Sequence, residues 1–392
     1  MIYYIYFNTP KFGMDISTDP RFIEFLQSRP LKPMSIRNYT YDLSKYVEFT
    51  GLTLTELITE AEKEEDERLR MRSRKIKTYL LGFREHLINQ DLSNSHIQHI
   101  FTTVRTFYSE FEIELPRIKL ILKSRQKETI NDIPTRDHIQ IALENSNRKM
   151  RAIILLMLSS GMGRGEVLSL KYSDLLRSIH DDIKISKSDV LNVGVLTDLV
   201  TEKLNENILI VPSWNIHRVK TGMLYSTFCT SECLTAILKY LSDYPPHSLN
   251  DPLFRTAKTS EGLKPNTFLT YFWNLNKKCG FGQTDRIIFF HSHALRKYFA
   301  TTLFKNKIPQ IVVDWLLGHK IDNTSEAYFK ADTKALKEQY ITCIPDLSIE
   351  DTEVHTYESP EFVEIKEEMS FLKKEVQHLR ELNELKEPIT KK

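Results

Sequence analysis

Apolar residues recur at helical spacing through the first third of the chain. Ile36, Tyr39, Leu43, Tyr46, Val47 and Thr50 share one face of a 3.6-residue repeat, and Ser35 sits where its N-cap belongs. Ile97, Ile100, Phe101, Val104, Phe107, Tyr108 and Phe111 form a second stripe, capped by Ser93 or Ser95. Residues 19–115 therefore read as an all-helical domain. Residues 116–134 run from proline to proline and read as a linker. Beyond it, Thr135 caps a helix extending through Asn145, and residues 150–160 are so apolar that their helix must be buried. Residues 208–211 are β-branched in character and strand-like. Residues 214–219 and 224–228 flank Lys220-Thr221-Gly222-Met223, a hairpin with glycine in its turn. Helical patterning resumes over residues 231–243, 267–278, 293–306 and 310–317. The polar stretch 177–207 carries no clear period, and no internal repeat is visible.

The end of the chain has a different period. Phe362, Met369, Val376 and Asn383 fall seven apart, and Ile365, Leu372, Leu379 and Lys386 follow each by three. About three apolar heptads are the minimum for a coiled coil. One amphipathic helix docked on its own domain is the other reading; flanking Glu and Lys favour self-association. The expected architecture is thus mostly α with a small β-hairpin. It has a helical domain (19–115), a basic linker (116–134), a mixed α+β domain (135–345) and a heptad helix (359–387).

Composition sharpens this picture. With 392 residues and 41% hydrophobic content, the chain can bury two or three cores, which excludes wholesale disorder. Its net charge of +2 hides a split: from Asp346 onward there are 13 acidic and 7 basic residues, whereas the preceding body is net +8. A polyanion-binding body with a separate acidic tail has this asymmetry, and so does a random surplus on solvated faces. Within the body, an acidic run at Glu60–Glu67 gives way to Arg68, Arg70, Arg72, Arg74, Lys75 and Lys77. These basic residues lead into a helix start and are candidates to contact DNA phosphates, as are Lys119 and Lys123 in the linker. A purely solvated face carries equal weight.

Four cysteines (Cys229, Cys233, Cys279 and Cys343) are too few for a disulfide framework. Cys229 and Cys233 lack two further clustered ligands for zinc, although His217 and His247 flank them. Reduced thiols in a cytoplasmic protein are the expectation. No apolar run approaches the about 18 residues of a membrane span. Residues 1–10 make a poor signal peptide, and Met14 is an equally good start.

The chemistry concentrates in His293-Ala294-Leu295-Arg296. On a helix, His293 and Arg296 share a face and can present a proton-transfer group beside a bidentate phosphate clamp. Leu317-Gly318-His319 follows, and Tyr328 comes nine residues after His319. This composite resembles the catalytic signature of the tyrosine recombinases, the phage-integrase family. The resemblance covers roughly residues 19–339 and is sharp at 161–174, Lys220 and 293–328. The family also has an arginine three residues before a glutamate in a Gly-x-Arg-x-x-Glu motif. Here Gly161-Met162-Gly163-Arg164-Gly165-Glu166 keeps the surroundings, but Arg164 lies two residues before Glu166, and Gly163 occupies the usual arginine place. Arg164 is taken as that arginine, the flanking glycines letting the backbone adjust. The family's hairpin lysine matches Lys220, with Arg218 as the fallback.

The resemblance implies a helical core-binding domain and a mixed catalytic domain that clamp double-stranded DNA, acting as a homotetramer on synapsed sites. Tyr328 would be the nucleophile, His293 its base and Lys220 the acid to the departing 5′ oxygen. Arg164, Arg296 and His319 would hold the phosphate, with Glu166 orienting its neighbours. The expected activity is site-specific cleavage and rejoining through a 3′-phosphotyrosyl link, to integrate or excise a mobile element. Neither metal, nucleotide nor other cofactor is required, and no membrane partner is expected. Two alternatives remain: a type IB topoisomerase-like relaxing enzyme, a family that typically has lysine in the place of His293, and a regulator that keeps the fold without catalysis.

Overall fold

A computed structural model describes residues 15–90, 92–120, 133–218, 222–256, 261–284 and 287–350. The chain divides into two compact units, residues 1–127 and 128–392. The first is built from α1 (Pro20–Gln27), α2 (Pro33–Thr50), α3 (Leu54–Asp66), α4 (Lys75–Asn89) and α5 (Asn94–Glu110). The two predicted stripes lie on α2 and α5, which pack together so that Leu43, Tyr46, Val47, Ile100, Phe101, Val104 and Phe107 are buried. The Tyr46 and Tyr108 hydroxyls meet at 3.2 Å inside this core. Ser93 caps α5 by accepting from the His96 amide. Ser35, however, is not the N-cap of α2. The helix starts three residues earlier, with Lys32 at the cap, because Pro33 at its first position has φ already set for a helix and has no amide to satisfy.

The start of the predicted linker lies on this unit. Leu115, Ile118 and Leu120 pack against its core, and Arg84 Nη1 donates to the Lys119 carbonyl at 3.1 Å. Lys123 lies outside the described residues, as does the heptad stretch 359–387.

The second unit follows in the order α6 (Arg136–Glu144), α7 (Arg148–Ser160), α8 (Arg164–Ser169), α9 (Tyr172–Ser178), α10 (Val193–Asn205), β1 (Ser213–His217) and β2 (Leu224–Phe228). Then come α11 (Ser231–Asp243), α12 (Pro265–Lys278), β3 (Gln283–Thr284), β4 (Ile287–Ile288), α13 (Ser292–Lys305), α14 (Gln310–Leu316), α15 (Asn323–Ala331), α16 (Thr333–Ile341) and α17 (Ile344–Leu347). The apolar α7 is buried on every side, as its composition requires, and packs against α11 and α13. Thr135 caps α6 as expected.

β1 and β2 form the expected antiparallel hairpin, with Ser213 opposite Phe228 and His217 opposite Leu224. Residues 208–211 are not a strand. Pro212 has no amide to give a ladder, so pairing begins at Ser213. Ile210 and Val211 instead plug the core, and the Ile208 amide closes the end of α10 on Lys203 O. The stretch 177–207 holds the end of α9 and all of α10, which Asn192 caps through the Gly194 and Val195 amides. No helix among the described residues is long and apolar enough to cross a membrane.

Candidate active site

Two glycines in left-handed conformation let α7, α13, α14 and the hairpin converge. Gly161 ends α7 at φ +66°, and Gly318 follows α14 at φ +64°, a region that costs other residues strain. A Cβ at Gly161 would strike the Phe299 ring of α13, and one at Gly318 would lie 2.6 Å from the Tyr225 ring of β2. Side chains at either point would force α7, α13, α14 and the hairpin apart.

The convergence forms a cradle of carbonyls for Arg296. Its Nη1 donates to Gly161 O at 2.6 Å, and its Nη2 donates to Leu317 O. Arg296 Nη2 also stands 3.3 Å from His319 Nε2. Burial pulls the guanidinium below its usual pKa, and Glu166 opposes that shift. Glu166 is itself buried at the third position of α8, where its carboxylate accepts from the Gly163 amide. One oxygen lies 3.8 Å from Arg296 Nη1 and the other 3.5 Å from Arg218 Nε. One carboxylate thus carries two guanidinium groups.

His319 is oriented from its other side. Nδ1 lies 2.8 Å from Asp314 Oδ1, and the His319 amide donates to Asp314 O at 2.8 Å. An ionised carboxylate only accepts, so the Nδ1 proton points at Asp314 and Nε2 faces Arg296. Asp314 was missed from sequence; its position five residues before His319 becomes meaningful only once the Gly318 turn folds the histidine back.

Tyr225 adds an unusual feature. Burial raises its phenol well above the ordinary value, Glu166 adds to that rise, and Arg296 and Arg218 oppose it. Its hydroxyl has no well-formed hydrogen-bond partner among the described residues.

The remaining expected residues lie as follows. His293 is exposed on the first turn of α13, its ring 6.4 Å from that of His291. Tyr328 is on α15 with 71% of its surface exposed, and its hydroxyl bonds to no described residue. Arg164 opens α8 as an exposed side chain without an ion pair to any described residue. Lys220 lies outside the described residues, although the hairpin arms holding it are fixed by Arg218 N to Met223 O at 2.8 Å. In the first unit, Arg74 is bound to Glu65 and Glu114, at 2.7 and 3.2 Å, and Lys75 to Glu60. Arg68, Arg70 and Arg72 are exposed and make no ion pair with a described residue; Lys77 is half-buried.

Residues 122–335 match the family model described as the phage integrase family. The chain is 30% identical over 110 residues to the tyrosine recombinase XerC of Rickettsia bellii strain RML369-C. That match spans 28% of this chain and 34% of that protein, about a third of its length. Among solved structures, the XerH site-specific recombinase bound to a palindromic difH substrate aligns with 78% of each chain, at 17% identity and TM-score 0.47. A lambda integrase tetramer bound to a Holliday junction aligns with 79% of this chain and 75% of that one, at 17% identity and TM-score 0.46.

Proposed function

The chain belongs to the phage integrase family, and from that premise we propose that it cuts and rejoins double-stranded DNA through a covalent 3′-phosphotyrosyl intermediate. The observation that carries this reading is the meeting of Arg296 and His319 at 3.3 Å in a buried carbonyl cradle, with an exposed tyrosine nine residues further on.

A phosphodiester already carries a negative charge, and its transition state builds up more on the non-bridging oxygens. Fixed cations there lower the barrier, because the carbonyls and Glu166 have oriented them before the substrate arrives. Arg296 is one such cation. Two of its donors hold Gly161 and Leu317, which fixes the plane of the guanidinium beside His319 and Glu166. Arg164 is the second cation that the sequence supplies. His319 meets the phosphate through Nε2, the ring nitrogen on the side away from Asp314, while Nδ1 stays on Asp314.

The covalent step balances without an outside reactant. The Tyr328 oxygen bonds to phosphorus as its proton passes to His293, and the bond from phosphorus to the 5′ oxygen breaks as Lys220 protonates that oxygen. A tyrosine phenol ionises near about pH 10, so a base is needed at neutral pH. The 5′-hydroxyl reverses the step, which keeps the bond energy in the phosphotyrosyl link.

In this reading the substrate is a mobile element's attachment site, and the active form is a tetramer on two duplexes. Exposed Arg68, Arg70 and Arg72 supply phosphate contacts that position the first unit on DNA. The compartment is the cytoplasm, where the free thiols of Cys229, Cys233, Cys279 and Cys343 stay reduced. Glycine in place of an arginine at Gly163 favours a second reading, a DNA-binding regulator without catalysis. A nicked suicide substrate separates the two. Strand transfer predicts a covalent protein–DNA adduct with the wild type and none with Tyr328→Phe; a regulator binds the same DNA and forms no adduct.

A further inference from the structure

The geometry points to Arg218, on the hairpin, as the second arginine of the phosphate clamp, in the place that the helix-junction motif leaves to Gly163. This inference rests on the strand-transfer reading and assigns one of its groups. A Cβ at Gly163 would lie 2.7 Å from Glu166 Oε2 and 3.9 Å from Arg296 Nη1. A side chain rooted there would start beside the buried carboxylate and the first guanidinium, and this chain has none. Arg218 reaches the same carboxylate from the other side, with Nε 3.5 Å from Glu166 Oε1. Its Nη1 donates to Gly318 O, the residue before His319. Arg296 holds Leu317 O, the residue before that. The two guanidinium groups therefore bracket the turn that carries His319.

Three further features suit Arg218 to the task. Its backbone is locked at the end of the ladder, the amide on Met223 O at 2.8 Å and the carbonyl on the Gly222 amide at 2.7 Å. Its side chain is 19% exposed, held by the protein yet open to a ligand. Glu166 balances only one of two positive charges, so the cluster keeps a surplus for an anion, and Arg218 Nη2 is free of described acceptors. Arg164 has none of this support: it stands exposed at the head of a six-residue helix.

The test measures single-turnover cleavage of a nicked substrate by the full chain, with either a phosphodiester or a methylphosphonate at the scissile position. A methylphosphonate lacks the negative charge that the arginine would meet. Arg218→Ala should slow phosphodiester cleavage by about 100-fold or more, at least tenfold beyond the loss in Arg164→Ala. On the methylphosphonate, its deficit against the wild type should shrink at least tenfold, which also shows that the variant is folded. Arg218→Lys keeps the charge but loses the fork, and should fall between the two on the phosphodiester. Equal deficits of Arg218→Ala on both substrates, or a larger loss at Arg164, would overturn the assignment. A wild type that forms no adduct would instead overturn the strand-transfer reading itself.

Discussion

At the residue scale, Glu166 organises the site. It is buried, it caps its own helix and it lies between Arg218 and Arg296. Glu166→Gln keeps the shape and removes the one carboxylate within 4 Å of both guanidinium groups among the described residues, so the buried charge of Arg296 and the largely covered charge of Arg218 would face each other uncompensated. Breaking a buried pair costs about 3–5 kcal/mol; the 3.5 and 3.8 Å separations here are long, so the low end applies. Urea unfolding of the variant should show a loss of about 3 kcal/mol, and an unchanged midpoint would mean that Glu166 carries no such load. The residues of this site were unevenly legible. Arg296 and His319, which the tyrosine-recombinase resemblance pairs, meet in the fold; the roles of His293 and Tyr328 rest on that resemblance and are what the adduct experiments test. Arg218 and Asp314 act through partners brought close by the hairpin and by the Gly318 turn, and no local pattern announces such a contact.

At the element scale, the stripes on α2 and α5 were legible because their period matches the face they bury. The strand expected at 208–211 failed because apolar β-branched residues also serve as core plugs, and a single proline decided against the ladder. Asp42 on α2 gives a test of that interface. It is buried against α5, accepting from Thr103 Oγ1 at 2.8 Å and lying 3.3 Å from His99 Nε2. Burial raises its pKa above the usual carboxylate value, against the pull of Thr103, His99, His96 and Lys45. The folded state therefore holds this proton more tightly than the unfolded chain. Its contribution to stability is full below about pH 4, the ordinary range, and is lost as pH rises through the raised value. Asp42→Asn keeps an acceptor for Thr103 and abolishes that loss. The stability of the variant relative to the wild type should rise between pH 4 and pH 7 in urea unfolding; a difference that does not change with pH would contradict the burial argument.

At the scale of the whole molecule, the sequence placed the end of the catalytic body at residue 345, but packing continues to Glu350. Leu347 and Ile349 are buried, Arg136 Nη2 donates to Ile349 O at 3.1 Å, and Glu232 accepts from the Ile349 and Glu350 amides at 2.9 and 3.1 Å. Hydrophobic period alone could not show this, because the segment beyond Leu347 is too short to repeat and is held by single buried side chains together with backbone hydrogen bonds. Removing residues 351–392 is therefore the clean way to test the heptad tail. Sedimentation should show weaker self-association with the fold retained, and unchanged association would assign the tail another role. The net +8 body also predicts DNA affinity that falls steeply with salt as phosphate contacts release counterions.

In the proposed reaction Tyr328 becomes joined to a DNA 3′ end. Trapping the wild-type chain on a nicked duplex, digesting the adduct with protease and sequencing the DNA-linked peptide by mass spectrometry tests it directly. The expected result is one modified residue, Tyr328, esterified to a 3′-phosphate and leaving a free 5′-hydroxyl. A 5′-phosphate linkage, attachment at any other residue, or bound DNA without a covalent product would contradict it.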